Sequence, residues 1–219
     1  MTSALIVVAK RPEPGQTKTR LCPPLQPEQA ADLYECFLRD TLDIVRKVPD
    51  ITRVLNYLPV DETEYFAGMA PDFEQLPQMG ASLGERLNYA LSFYLNNNYE
   101  RAVIMNSDSP TLPPGHVARA FVALDEADIV LGPSDDGGYY LIGLKAPCPR
   151  LLLDVQMSTP RVLEDTLALA REQGLSATLL PTWYDIDTVD SLHRLRQDLQ
   201  HTSNKATFTR QWLNRQVLP

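Results

Sequence analysis

Cysteine, histidine and tryptophan are scarce in this chain, at three, three and two among 219 residues. Cys22, Cys36 and Cys148 have no CxxC spacing and cannot all pair, so reduced thiols in a cytoplasm are the simplest reading. His116, His193 and His201 each lie outside metal-motif distance of a cysteine or another histidine, which leaves them as ordinary surface or half-buried residues. Positive charge is in deficit as well. Twenty Lys and Arg against 28 Asp and Glu give a net charge of -8, which argues against general nucleic-acid binding. Long hydrophobic runs are missing: the first, ALIVVA, spans residues 4–9. It is too short to cross a membrane, and no small-residue cleavage site follows it, so neither a secretory leader nor a membrane partner is expected. Neither GxxxxGK[ST] nor GxGxxG occurs, which rules out a Walker A loop and a dinucleotide fingerprint. Internal repeats and low-complexity linkers are also lacking. A single domain over residues 1–219 is expected, with its core at about 4–200 and a C-terminal helical tail.

Apolar runs alternate with helical periods along the chain. ALIVVA is continuously apolar, as a buried parallel strand is. PEQAADLYECFLRDTLDIVRKV (27–48) then repeats at helical spacing, with Ala31, Tyr34, Leu38, Leu42 and Val45 along one face. RVLNYLPV (53–60), RAVIMNSD (101–108) and ADIVLG (127–132) read as further strands, and SLGERLNYALSFYLNN (82–97) as a second long helix. A helix follows Pro113 and Pro114; a later one is predicted with Thr159 as its cap and Pro160 at its first position. ATLLPTWYDID (177–187) returns to the sheet before a last helix in TVDSLHRLRQDL. The alternation predicts an α/β fold with a mainly parallel sheet and helices on both faces, and the Gly-Gly pair at 137–138 predicts a late antiparallel hairpin.

Such a sheet binds its ligand beside the carboxyl ends of its strands, and three polar stretches lie there. AKRPEPGQTKTRL (9–21) concentrates Lys10, Arg11, Lys18 and Arg20 on a segment that Pro12, Pro14 and Gly15 keep from being a helix. Gly15 permits close backbone approach, and Lys18 and Arg20 can meet a multiply charged anion; the alternative is a solvated basic turn. Ser107 and Asp108 follow a buried run, and Asp108 needs a second carboxylate to share a hard cation. Asp185 and Asp187 offer one, and the sequence leaves open which of them it is. GPSDDGGYYLIGL (132–144) packs Asp135, Asp136, Gly137, Gly138 and Tyr139 together, as a tight turn or as an acceptor pocket with a carboxylate and an aromatic wall.

These stretches, with QMGASLGERL, MSTPRVLEDTL and YDIDTVDSL, stand in the order found in DUF2064 proteins, which the chain resembles over residues 4–195. That family is described as GT-A-like glycosyltransferases, some linked with arsenosugar biosynthesis. It is similar, more distantly, to the nucleotidyltransferases that make molybdopterin guanine dinucleotide and that act on 2-phospholactate. The resemblance implies a Rossmann-like GT-A fold. It casts Lys10, Gly15, Lys18, Arg20 and Ser107 as the nucleotide-phosphate site, with Gln78 and Gly80 near the base. Asp108 and Asp187 become holders of Mg²⁺ or Mn²⁺, and Arg86 either helps with phosphate or covers its helix. Two positions depart from the family pattern. Asn106 stands where glycine is usual, and DTVDSL replaces the commoner DTPEDL; neither removes a proposed ligand.

The implied chemistry is metal-dependent glycosyl transfer from a nucleotide-activated sugar to a small hydroxyl acceptor. Lys18 would steady the leaving diphosphate, with Asp135 or Asp136 taking the acceptor proton or orienting the acceptor. The alternative is nucleotidyl transfer from a nucleoside triphosphate to a phosphorylated small molecule. That anionic attacker needs no base, so the paired carboxylates lean toward a hydroxyl acceptor. A metal-dependent phosphohydrolase and a non-catalytic nucleotide-binding module are lesser rivals. Base, sugar, acceptor and oligomeric state stay open, a homodimer among the options.

Overall fold

Side-chain alternation along the first strand sets the layering of the molecule. In β1 (Ser3–Lys10), Leu5, Val7 and Ala9 join one apolar cluster while Ala4 and Ile6 join another. A strand buried on both faces must be apolar at every position, which is why ALIVVA shows no polar alternation. The computed structural model describes residues 2–201 and 205–216.

The other strands are β2 (Thr52–Leu58), β3 (Glu74–Pro77), β4 (Arg101–Met105), β5 (Ile129–Pro133), β6 (Tyr139–Leu144) and β7 (Ala177–Leu179). They form one sheet in the order β3-β2-β1-β4-β6-β5-β7. All are parallel except β6, which runs antiparallel to both β4 and β5. This single α/β domain thus has the mainly parallel sheet and the late hairpin that the sequence predicts.

On one face lie α1 (Pro27–Arg46), α2 (Thr63–Met69) and α4 (Pro114–Glu126), which contribute Leu38, Leu42, Phe66, Val117 and Leu124 to the core. Helices α3 (Leu83–Asn96), α5 (Arg150–Leu153) and α6 (Val162–Glu172) cover the other, through Leu87, Leu91, Leu151, Leu152 and Ala170. The predicted apolar face of α1 is buried as expected, but a second side of that helix is buried too. Leu33 and Phe37 pack under α7 (Val189–Gln200) and α8 (Thr207–Arg215) with Leu195, Leu199 and Leu213. Asp40 on α1 accepts bonds from the amides of Phe208 and Thr209, at 3.0 and 2.8 Å, and so closes the free N-terminus of α8. The expected helical tail is α8; residues 202–204 and 217–219 lie outside the described residues.

Two local expectations need correction. Helix α6 starts at Val162, not at Pro160; Thr159 Oγ1 instead donates to Gln156 and accepts from the Arg161 amide, which makes a turn of 156–161. The segment 177–187 forms a regular ladder only over Ala177–Leu179. Pro181 has no N–H to donate, so beyond it single bonds hold the chain: Trp183 to Pro133 and Asp135 to Trp183 at the end of β5, and Ile186 to Asp108 beyond β4. The last of these, at 3.0 Å, brings residues 185–187 against the end of β4.

Candidate active site

The basic loop after β1 is folded by its own hydrogen bonds. The amides of Gln16 and Thr17 both donate to the Glu13 carbonyl, and Thr17 Oγ1 accepts from the Glu13 amide at 2.9 Å. Lys18 sits at the start of a short 3-10 turn, Thr19–Leu21, with a left-handed backbone (φ 51°, ψ 36°). Its ammonium reaches Asp108 Oδ1 at 2.6 Å and Asp187 Oδ1 at 2.7 Å. The lysine side chain is only 6% exposed, against 32% and 41% for the two carboxylates. Burial alone would pull the ammonium's pKa down, but the charges and hydrogen bonds of Asp108 and Asp187 outweigh it and hold the group above the ordinary lysine value.

Asp185 has a different setting. It is half-buried and accepts from Asn106 Nδ2 at 3.0 Å, Ser134 Oγ at 3.1 Å, and Ser109 Oγ. Burial first, then the charge of Asp108, pushes its carboxyl up to about 6, against the pull of those donors. Asp185 therefore ties together the ends of β4 and β5, while Asp187 faces Asp108 across the lysine. Asp187 is itself fixed at the entry to α7, where its amide donates to Ser191 Oγ and Thr188 and Ser191 form a capping box. Asn106, the departure from the family pattern, links two of these aspartates. Its amide nitrogen holds Asp185, and its Oδ1 accepts from the Asp108 amide at 3.3 Å.

The two carboxylate oxygens converge on one cation-sized point, a hard oxygen donor set that suits Mg²⁺ or Mn²⁺. Among the described residues no three His, Cys, Asp or Glu gather as a metal cage, so the pair would need oxygens from a bound ligand to complete a shell.

A cleft of about 690 Å³ opens beside this cluster. Lys10, Lys18, Arg20, Ser107, Asp108 and Asp187 are among its polar lining, and Leu83, Leu87, Ile104, Ile142 and Met157 among its apolar lining. Asp136, Gly138 and Tyr139 from the hairpin also line it. The Ser107 hydroxyl bonds the buried Tyr34 hydroxyl at 2.9 Å, and the Lys10 amide donates to the same oxygen at 3.1 Å. Burial pushes the Tyr34 hydroxyl up to about 12, so it stays protonated. Tyr34 was legible only as a core residue of α1, because nothing in a helical stripe marks which member reaches a site.

Of the other expected site residues, all but Asp136 stand apart from the cleft lining. Gln78 is buried, and its Nε2 donates to the carbonyls of Ala9 and Asn56, both at 3.0 Å; it fastens β1 to β2 and has no amide hydrogen left for a base. Gly80 (φ 129°) makes the tight turn into α3, where a Cβ would meet that of Glu85 at 2.6 Å. Arg86 donates to the carbonyls of Gly80 and Ala81 and so steadies that turn. Asp135 is drawn to the surface by Arg194 at 2.6 Å. Asp136 Oδ1 accepts from the Gly138 amide at 2.9 Å, a local turn that leaves its other oxygen available to the cleft. Gly15 lies in the basic loop with open space about it, and Gly137 packs behind the cleft wall against Pro160.

Residues 41–159 match the family described as "Uncharacterized protein conserved in bacteria (DUF2064)". Over 98% of the chain, and 95% of the other, the fold is similar to that of a protein from Desulfovibrio desulfuricans G20 provisionally described as a nucleotide-diphospho-sugar transferase, with 32% identity and a TM-score of 0.91. The chain is also 26% identical over 195 residues to the 2-phospho-L-lactate guanylyltransferase of Methanothermobacter thermautotrophicus, covering 87% of this chain and 82% of that one. At 16% identity and a TM-score of 0.54 it shares its fold with Rv0371c of Mycobacterium tuberculosis H37Rv, solved with manganese and covering 90% and 98% of the two chains. With a family match over more than half its length and a relative of this similarity end to end, the chain belongs to the DUF2064 family and is an enzyme of the transferase kind.

Proposed function

We propose that the cleft carries out nucleotidyl transfer. An oxygen of a phosphorylated small molecule attacks the α-phosphorus of a nucleoside triphosphate, the bond from that phosphorus to the β-phosphate oxygen breaks, and pyrophosphate leaves. The observation that carries this reading is the meeting of Lys18, Asp108 and Asp187 at a cleft that Lys10 and Arg20 also line. Cations and a cation-holding carboxylate pair in one place suit a polyphosphate and little else.

Asp108 and Asp187 would hold Mg²⁺ or Mn²⁺, which when bound supplies neutralisation of the charge that grows on the departing pyrophosphate. Lys10 and Arg20 attract the triphosphate and orient it. Asp185, Asn106, Ser109 and Ser134 keep the Asp108 loop in place, so that the carboxylate meets its ligand without reorganising. An anionic attacker needs no general base. The withdrawal of Asp135 into its pair with Arg194 therefore favours a phosphate acceptor over the hydroxyl that the sequence suggested. The guanylyltransferase likeness supports the same choice. The three free thiols suit a cytoplasmic setting.

Glycosyl transfer from a sugar nucleotide is the second reading, favoured by Asp136, whose carboxylate lines the cleft and could take a hydroxyl proton, and by the Desulfovibrio likeness. Product analysis separates the two. Pyrophosphate released from GTP or CTP with phosphorylated acceptors is the expected outcome. Release of nucleoside diphosphate from sugar nucleotides, with none of pyrophosphate, would overturn it in favour of the second.

A further inference from the structure

The Lys18 ammonium occupies the position that a metal bridging Asp108 and Asp187 would take. It lies 2.6 Å from one carboxylate oxygen and 2.7 Å from the other, and its side chain is almost fully buried. A magnesium ion bound to those oxygens sits about 2.0–2.1 Å from each. Such an ion would stand against the ammonium nitrogen at close to contact distance, charge against charge. The two cations therefore exclude one another. The lysine can leave, since a flexible stem of four methylenes separates its backbone from its charge, and Gln16, Thr17 and Thr19 beside it line the same cleft. In the free enzyme its ion-pair partners among the described residues are Asp108 and Asp187, so it needs a further anion to go to. Leaving the carboxylates without one would bury an uncompensated charge. A polyphosphate in the cleft supplies that anion.

We propose that Lys18 is an internal counter-cation that closes the Asp108–Asp187 pair to free divalent metal, so that metal loads together with a polyphosphate that draws the ammonium away. The inference rests on the reading of the cleft as a nucleotide site, and it concerns the order in which that site is filled. Metal and nucleotide then strengthen each other's binding by the same factor, because linkage is reciprocal.

The test is titration of Mn²⁺ alone, followed by electron paramagnetic resonance, against the wild-type chain, Lys18→Met and Lys18→Arg. The methionine keeps the length of the stem without its charge, and the arginine keeps a cation. Wild type and Lys18→Arg should bind Mn²⁺ weakly, and Lys18→Met tighter by roughly 5- to 150-fold, the usual span of such couplings. Adding Asp108→Asn to Lys18→Met should abolish the gain. Should Lys18→Met fail to fold by circular dichroism, Lys18→Gln reads the same difference. In the wild type, GTP or CTP should tighten Mn²⁺ by a like factor. Equal Mn²⁺ affinity in wild type and Lys18→Met overturns the proposal, and so does a gain that survives Asp108→Asn. If affinities are equal yet GTP or CTP still binds with metal, the inference about Lys18 falls and the functional reading stands. If neither nucleotide binds at any metal concentration, the functional reading falls with it.

Discussion

Two glycines with the same backbone demand separate the cost of conformation from the cost of contact. Gly15 and Gly137 both have left-handed φ, 75° and 89°. A Cβ at Gly15 would meet nothing within 4 Å, whereas one at Gly137 would lie 2.0 Å from the carbonyl oxygen of Pro160. Gly15→Ala should therefore cost only the left-handed penalty of an L-residue, about 1–2 kcal/mol. Gly137→Ala adds a clash between backbones, which no rotamer relieves. The turn at 156–161 must move, and the bond from the Leu163 amide to the Gly137 carbonyl, now 3.0 Å, goes with it. One lost hydrogen bond is worth about 1 kcal/mol, and the displaced turn brings the whole to roughly 3–4 kcal/mol. For a domain of this size each kcal/mol is about 2–4 °C in Tm, so losses of roughly 2–8 °C and 6–16 °C are expected. Paired measurements narrow the comparison, since Gly137→Ala should melt lower than Gly15→Ala by about 4 °C or more in calorimetry. Because Ser158, Thr159 and Pro160 line the cleft, Gly137→Ala should also raise KM for the acceptor. Equal Tm losses for the two variants would refute the argument, for they would mean that the hairpin does not press on Pro160.

Removing a carboxylate from the charged cluster should act on chemistry. Asp108→Ala is expected to lower kcat by about 10²-fold or more in a pyrophosphate-release assay, with a Tm within a few degrees of wild type because Asp187 still pairs with Lys18. Asp135→Ala should keep kcat/KM within about twofold in the same assay, since its surface ion pair is worth little; Asp136→Ala should do the same with a phosphate acceptor, and a much larger loss would favour the hydroxyl acceptor of the second reading. Gln78→Leu should lower Tm by stranding the Ala9 and Asn56 carbonyls, at about 1–3 kcal/mol in denaturant titration, and leave nucleotide affinity of the folded protein unchanged. A loss of affinity without a loss of stability would restore Gln78 to the base site.

The order of strands and helices was legible because burial on both faces leaves a run such as ALIVVA no polar position, and because one buried stripe gives α1 its period. The shorter elements escaped notice. Strand β3 has four residues and ends in proline, and α2 has only seven residues. Clustering of Lys18, Asp108 and Asp187 could be suspected from the sequence, since each follows a strand or adjoins one, and strand ends gather on one side of a parallel sheet.

What the sequence by itself determined was the class of fold, the hairpin and the set of charged residues from which the site is drawn, all consequences of local pattern. Tertiary structure decided which of those residues act together. It set Asp187 rather than Asp185 opposite Asp108, turned Asp135 to the surface, and used Gln78 as a fastening. The reason is geometric: residues 169 positions apart share one ion pair, and no local spacing encodes the hydrogen bonds that bring them within 3 Å.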